Sequence, residues 1–349
     1  MKSSEPLSLE ETNISQNDTS NSSSSTTSSR ITSPPPQTTT SSSSSSSPST
    51  YKLNLLQLAI LVFYNVSGGP FGIEPSIRAA GNYYTILGFL ILPLVWSFPE
   101  AMVTAELGSA FRSSSGGVIW VQQAFGDYPG VFCGYFNWIS GATDNAIYPT
   151  LFLTYLTKDS YSLSGFARFV YVSVLSIGLA YLNYLGLEFV GNSSIIICII
   201  AMSPFLMMFF VGIGKVDTDN WYQRPVNVTD STGLFDDDFE TAPGLLPLVS
   251  LSGIIIRPFL NNMFWNLNSF DSAASFAEEV LDIKTTYPKG IFLGLGLCYI
   301  FYLIPLLIVT GATTYGQEEW VDGHLATAAA DIGGRWLGNW TIFAIGISK

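Results

Sequence analysis

The sequence predicts an all-helical integral membrane protein, on three observations. Only 11% of the 349 residues are charged and 48% are hydrophobic. The mean hydropathy is +0.34. The apolar residues gather into runs of roughly 20 or more, the length that crosses a bilayer as a helix. Soluble domains carry roughly 25% charge, so this inventory cannot cover a surface that faces water on all sides. Lipid must cover much of it.

Residues 1–50 hold 20 Ser and 9 Thr around Pro34, Pro35 and Pro36. This mixture buries too little apolar surface to offset its ordering entropy, and it predicts a disordered tail. The tail lacks the short apolar core of a signal peptide, so the first hydrophobic segment is expected to remain as a span. From 51 to 213 the composition changes, with eleven charged residues between Leu53 and Ile213. Spans are predicted near 53–79, 83–108, 117–155, 166–185 and 188–213; the third is long enough to tilt or to begin with a surface helix.

A polar, acidic segment follows at 214–244, with Asp217, Asp219, Asp236, Asp237, Asp238 and Glu240 and the acceptor pattern Asn227-Val228-Thr229. It reads as an exposed loop on the outer side. From 245 to 349 come spans near 245–277 and 288–315, a polar loop at 316–330, and an apolar stretch that has barely begun at Lys349. The Lys and Arg residues fall on both sides of this arrangement and do not orient it. The acidic loop favours an inside amino terminus.

Two spans carry interruptions. In the first, Ser67-Gly68-Gly69-Pro70-Phe71-Gly72 combines residues without side-chain restraint with one that lacks a backbone donor, so the helical ladder should open there. Opened backbone is tolerated in a bilayer only where it is buried in protein or lines a wet cavity. The sixth span crowds amides, a hydroxyl and a carboxylate into Trp265-Asn266-Leu267-Asn268-Ser269-Phe270-Asp271, without a helix-breaking residue. Interruptions at corresponding positions of two halves point to the binding site of a secondary transporter, and spans one and six correspond if the repeat is five spans. Close helix packing is the competing explanation for small residues. The paired breaks favour a site.

Several segments also carry a family resemblance: Val66-Ser67-Gly68-Gly69-Pro70-Phe71-Gly72-Ile73-Glu74, Trp96-Ser97-Phe98-Pro99-Glu100-Ala101 with Thr104-Ala105-Glu106, Asp144-Asn145-Ala146-Ile147-Tyr148-Pro149, Tyr181-Leu182-Asn183-Tyr184-Leu185-Gly186-Leu187, and Phe264-Trp265-Asn266-Leu267-Asn268. Together they resemble the proton-coupled polyamine uptake transporters of plants and protists, within the amino acid–polyamine–organocation superfamily. The resemblance runs from about residue 53 to 345. It implies a LeuT-like fold of two inverted five-span repeats plus two further spans, with substrate held at the broken first and sixth helices. Since it ends inside the eighth span, the second repeat is expected to be incomplete. It also implies a plasma-membrane or endomembrane location.

The candidate substrate-binding residues are Gly68, Gly69, Gly72, Glu74, Asp144, Tyr148, Trp265, Asn266, Asn268 and Asp271. A broken helix offers carbonyls at one half-helix end and amides at the other, which favour cations and anions respectively. Glu74, two residues past Gly72 and followed by Pro75, would occupy the amide end and repel a substrate carboxylate, shifting the site towards ammonium groups. Its alternative is a capping carboxylate with no substrate contact. Asp144 is a carboxylate inside a span, which by default marks function. Asp271 would hold a distal ammonium or merely cap the second half-helix.

Trp265 and Tyr148 offer faces for cation-π contact. Asn266 and Asn268 supply amide oxygens, or else interhelical hydrogen bonds. For proton coupling the candidates are Glu74 and Glu100, unranked. Glu100 and Glu106, six residues apart, do not form a paired acid–base site.

Other classes fit poorly. A net charge of −12 opposes nucleic-acid binding. Cys133, Cys198 and Cys298 lie in apolar stretches and His324 stands alone, so neither a metal site, a cofactor nor a disulfide framework is expected. The expected partners are a polyamine (putrescine, spermidine or spermine), protons and the lipid bilayer. Carriage of cationic or neutral amino acids is the near alternative. A non-transporting membrane sensor or subunit is the alternative of another class. No nucleophile elbow, P-loop or dinucleotide fingerprint argues for an enzyme.

Overall fold

A computed structural model of the chain describes residues 52–157, 164–225, 250–251 and 253–348. The Ser- and Thr-rich tail lies outside the described residues. So does most of the acidic loop, including Asn227-Val228-Thr229.

The described residues are predominantly helical. Asn54 starts α1 (Leu55–Val66) with a capping box, its side chain accepting from the Gln57 amide while Gln57 accepts from the Asn54 amide. The helix stops at Ser67, and α2 (Glu74–Leu92) begins after six further residues. Within α2 the ladder is interrupted at Gly81 (φ 69°), which separates the end of the predicted first span from the start of the second. A π-turn at Pro93–Ser97 then leads into α3 (Phe98–Ala110), so 82–110 crosses as one bulged element. Single π-turns of this kind recur at functional sites.

The predicted third span is two helices, α4 (Gly117–Phe125) and α5 (Asp127–Thr157), parted at Gly126. At 31 residues α5 is about 46 Å long, more than a bilayer core requires. Two further spans, α6 (Gly165–Tyr184) and α7 (Leu187–Gly212), match their predicted positions to within a residue or two.

The sixth span differs from expectation at both ends. It opens with a two-stranded antiparallel hairpin, β1 (Ser250–Leu251) and β2 (Ile254–Ile255), before α8 (Ile256–Leu267). It continues past its break as a 3-10 segment, Phe270–Glu279. Then follow α9 (Thr286–Ala312), α10 (His324–Gly333) and α11 (Arg335–Ser348). The region expected to be a polar loop at 316–330 therefore contains most of a helix. Leu325, Ala328, Ala329 and Ile332 are its buried face, a spacing of three and four that a search for span-length apolar runs passes over. His324 at its start is half-buried, its ring 4.4 Å from Tyr315 and 5.0 Å from Trp320, and burial pushes the imidazole below its ordinary range.

Four helical elements among the described residues are long and apolar enough to cross a membrane: Glu74–Ala110, Gly165–Tyr184, Leu187–Lys215 and Thr286–Ala312. Between helices in lipid the hydrophobic drive is weak, and close packing of small residues takes its place. Gly290 and Gly294 on α9 do this, seating Leu58 and Val62 of α1 where a Cβ would collide. This contact fixes the end of α1, and with it the first break, against the core formed by α1, α7 and α9.

Candidate functional site

In the first break, Ser67 and Gly68 both donate to the Phe63 carbonyl, at 2.9 and 3.2 Å, and the chain then leaves the helix through Gly68 (φ 65°), Gly69 (φ 128°) and Gly72 (φ 93°). A side chain is strained at such angles. At Gly72 a Cβ would also stand 3.1 Å from the Trp265 ring and 3.4 Å from Asn266 Oδ1. The two interruptions therefore touch.

The second break has a different origin. Asn268 is extended, and Ser269 is left-handed at φ 80°, the one non-glycine residue with positive φ among those described. The freed backbone groups find partners on the π-turn and α3. Ser97 Oγ donates to the Leu267 carbonyl at 2.6 Å, and Trp96 Nε1 donates to Asn268 Oδ1 at 2.8 Å. Glu100 Oε1 accepts from the amides of Ser269 (3.1 Å) and Asp271 (3.3 Å). The break is made by tertiary contacts rather than by a breaker residue.

Asn266 joins the two breaks. Its Nδ2 donates to the carbonyls of Gly72 (3.0 Å) and Asn262 (2.8 Å), and its Oδ1 accepts from the Tyr302 hydroxyl at 2.8 Å. Ser76 Oγ donates to Asn262 Oδ1 one turn away.

Between the breaks and α5 lies a cavity of about 700 Å³, within the range of small-molecule sites. The first break contributes Ser67 and Gly68, the second Trp265, Asn266, Ser269, Asp271, Ser272 and Ser275. The end of α1 adds Tyr64 and Asn65, and α9 adds Tyr302. Helix α5 supplies Asn137, Ser140, Gly141, Asp144, Asn145 and Tyr148. These six recur every three or four residues, so they form one stripe on a helix otherwise rich in apolar side chains. Asp144 and Asp271 are the cavity's carboxylates, and its lining includes no Lys, Arg or His.

Of the ten candidate substrate residues, Gly68, Asp144, Tyr148, Trp265, Asn266 and Asp271 thus lie on one cavity wall or another. Asp144 is exposed to this space rather than buried among apolar neighbours. Gly69, Gly72, Glu74 and Asn268 are not among the lining residues, nor is Glu100. Gly69 is held against Met202 and Phe71, and Asn268 is taken by Trp96.

Glu74 lies outside the cavity lining. It is 2% exposed, and its two oxygens accept from the amides of Gly72 (3.0 Å) and Leu325 (3.5 Å), the latter at the start of α10. These bonds tie the first break to the start of α10. For Glu74→Gln we expect equal weakening of spermine and putrescine binding, with unfolding made easier by about 1–3 kcal/mol because a charged acceptor is lost. A dissociation constant that rises much more for spermine than for putrescine would return Glu74 to the cavity.

Sequence reading passed over Tyr64, Asn65, Tyr302 and the upper half of the α5 stripe. The stripe's signal was present in the sequence, as polar residues at helical spacing. Tyr64 and Tyr302 had none, being aromatic residues in apolar runs like many others.

Residues 53–348 match the amino acid permease family. Among similar proteins, the chain is 39% identical over 290 residues to the polyamine transporter RMV1 of Arabidopsis thaliana, covering 83% of this chain and 54% of that one. It is 38% identical over 302 residues to the polyamine transporter PUT1 of Oryza sativa subsp. japonica, covering 86% and 52%. A lesser similarity, 24% over 180 residues, links it to the branched-chain amino acid permease BcaP of Bacillus subtilis, covering 52% and 33%. The chain spans about half the length of the plant relatives it matches. An extended match to the family, together with the four apolar helical elements, gives the conclusion that this chain is an integral membrane protein belonging to the amino acid permease family.

Proposed function

We propose that this chain belongs to a secondary transporter that imports polyamines with protons by alternating access. The observation that carries the reading is the cavity between the two broken spans, with Asp144 and Asp271 facing it from different elements and no basic residue in its lining. Two anionic groups in a low-dielectric site favour separated ammonium groups. A zwitterion would bring its own carboxylate to an acidic wall.

At the first break the Gly72 N–H is already donated to Glu74, so that amide is not open to such a carboxylate. Trp265 and Tyr148 add aromatic faces, worth about 2 kcal/mol to a desolvated cation. The polyamine transporters among the relatives support the same substrate class.

In this reading the breaks at 67–73 and 268–269 occupy the first and sixth positions of two inverted five-span repeats. Rocking of one repeat against the other opens the cavity to either side. Proton coupling falls to Glu74 or Glu100, a buried and a half-buried carboxylate beside the two breaks. The plasma membrane or an endomembrane houses the protein.

An amino acid carrier is the competing reading, favoured by the family match and the BcaP similarity. Competition for spermidine uptake into proteoliposomes, acid outside, separates the two. Spermine and putrescine in tenfold excess are expected to suppress uptake, while arginine and leucine leave most of it. The reverse order makes this an amino acid carrier.

A further inference from the structure

We propose that Glu100 is a positioning residue: its ionised carboxylate latches the second break so that Asp271 faces the cavity, and a proton taken up on its free oxygen releases the latch. This deepens the proposed function by choosing between the two candidate carboxylates, and it rests on that reading only for the ligand used in the test.

One oxygen of Glu100 does two jobs. Oε1 accepts from the amides of Ser269 and Asp271, the first groups after the ladder has failed. These bonds hold Ser269 in its left-handed conformation and set the direction of the Asp271 side chain, which lines the cavity. Oε2, by contrast, is buried with no hydrogen-bond partner among the described residues. A charge-assisted bond to a backbone amide is roughly twice as strong as a neutral one, so the latch depends on ionisation. A buried anionic oxygen without a partner is costly, and a proton on Oε2 removes that charge while leaving Oε1 a weaker acceptor.

The surroundings single out this group. Asp271 is the acidic neighbour on the 3-10 segment, and Glu278, at its far end, accepts from the Ser114 amide instead. Facing α3 from α9, Tyr287 packs at Gly108, and α1 carries no charged residue. Glu106 is exposed on α3 itself. Trp96 and Ser97 grip the other side of the break through Asn268 and Leu267, and the far end of the 3-10 segment is tied through Glu278 and Glu279 to Ser114 and Leu53, so releasing Glu100 loosens the start of the segment, where Asp271 sits, while α8 stays anchored. Glu74 has no comparable free oxygen, since both accept from amides.

The test places a reporter thiol one turn beyond Asp271. Ser275 is exposed and lines the cavity, so Ser275→Cys is introduced with Cys133→Ser; Cys198 and Cys298, 7% and 1% exposed, stay in place. The rate of labelling by a membrane-impermeant maleimide, divided by that of a cysteine peptide at the same pH, reports the position of the segment.

Between pH 7.5 and 5 we expect this ratio to rise roughly three- to tenfold, the span of weakening one charge-assisted bond. Glu100→Gln, which resembles the protonated state, should give the high ratio at both pH values. Asp271→Asn and Glu106→Gln should keep the rise. A pH response that survives in Glu100→Gln, or vanishes in Asp271→Asn, overturns the proposal.

Should Glu100→Gln not yield monodisperse protein, Trp96→Phe decides. It removes the Asn268 anchor but keeps the carboxylate, so the ratio should be raised at pH 7.5 and still respond to acid; a flat response overturns the latch. Spermidine is expected to lower the ratio at pH 7.5. If it has no effect while the pH response stands, the substrate reading fails and the latch does not.

Discussion

Asp144→Asn is expected to weaken spermidine binding by about 10- to 100-fold, because a hydrogen bond to a charged partner is worth about 1.5–3 kcal/mol and each 1.4 kcal/mol is tenfold. Asp271→Asn should do the same. The two carboxylates sit on different elements, α5 and the 3-10 segment, and face one cavity. In the proposed function a diamine engages both, and the double variant should then lose close to the sum of the single losses. A monoamine of equal chain length engages one at a time, so one of the two substitutions should leave its affinity nearly unchanged.

Isothermal titration on monodisperse protein reads all four combinations. Losses below about twofold for both single variants would remove the acidic cavity from substrate binding, since even one exposed charge pair contributes about that much.

The first break was legible because its cause is local. Gly68, Gly69, Pro70 and Gly72 carry the conformational requirement in their own chemistry, and three of them adopt positive φ. The second was legible only as an excess of polar groups. Nothing in Asn268-Ser269 forbids a helix; the opening depends on Ser97 and Glu100, about 170 positions earlier, which take up freed backbone groups, and on Trp96, which holds the Asn268 side chain. A relation of that kind has no period and no spacing in the sequence.

Glu74 shows the complementary case. Its position after Gly72 correctly suggested an acid among amides, but the sequence could not say that one of those amides belongs to Leu325, 251 residues away. The proposed preference for cations rests on Asp144 and Asp271, which line the cavity, and not on Glu74. The helices α6 and α7 followed their predicted limits closely, for bilayer length constrains them. The hairpin at 250–255 and α10 escaped because neither is long enough to cross anything.

Asn266→Leu is expected to cause the largest structural loss, lowering stability by roughly 2–4 kcal/mol. Interhelical hydrogen bonds in membrane proteins often contribute well under 1 kcal/mol, because alternative partners exist in the unfolded segment. Asn266 differs in what its removal leaves behind. The Gly72 carbonyl lies in opened backbone, where no ladder donor can replace the Asn266 amide, and the Tyr302 hydroxyl is buried at 1% exposure beside it. The Gly72 carbonyl would lose this donor and the Tyr302 hydroxyl this acceptor, a loss of about 1–3 kcal/mol for each group left unsatisfied.

The arithmetic is open to a cycle. Tyr302→Phe alone should cost about 1 kcal/mol, whereas the same change made in the Asn266→Leu background should cost nothing or restore stability, because the stranded hydroxyl is then gone. Thermal unfolding in detergent gives the stabilities, and spermidine binding on the same samples tests the link between the breaks. If Asn266→Leu unfolds like the unaltered protein, or if the Tyr302→Phe cost is the same in both backgrounds, the two broken spans are not joined through this amide. The cavity walls would then have to be held in place by α5 and α9 alone.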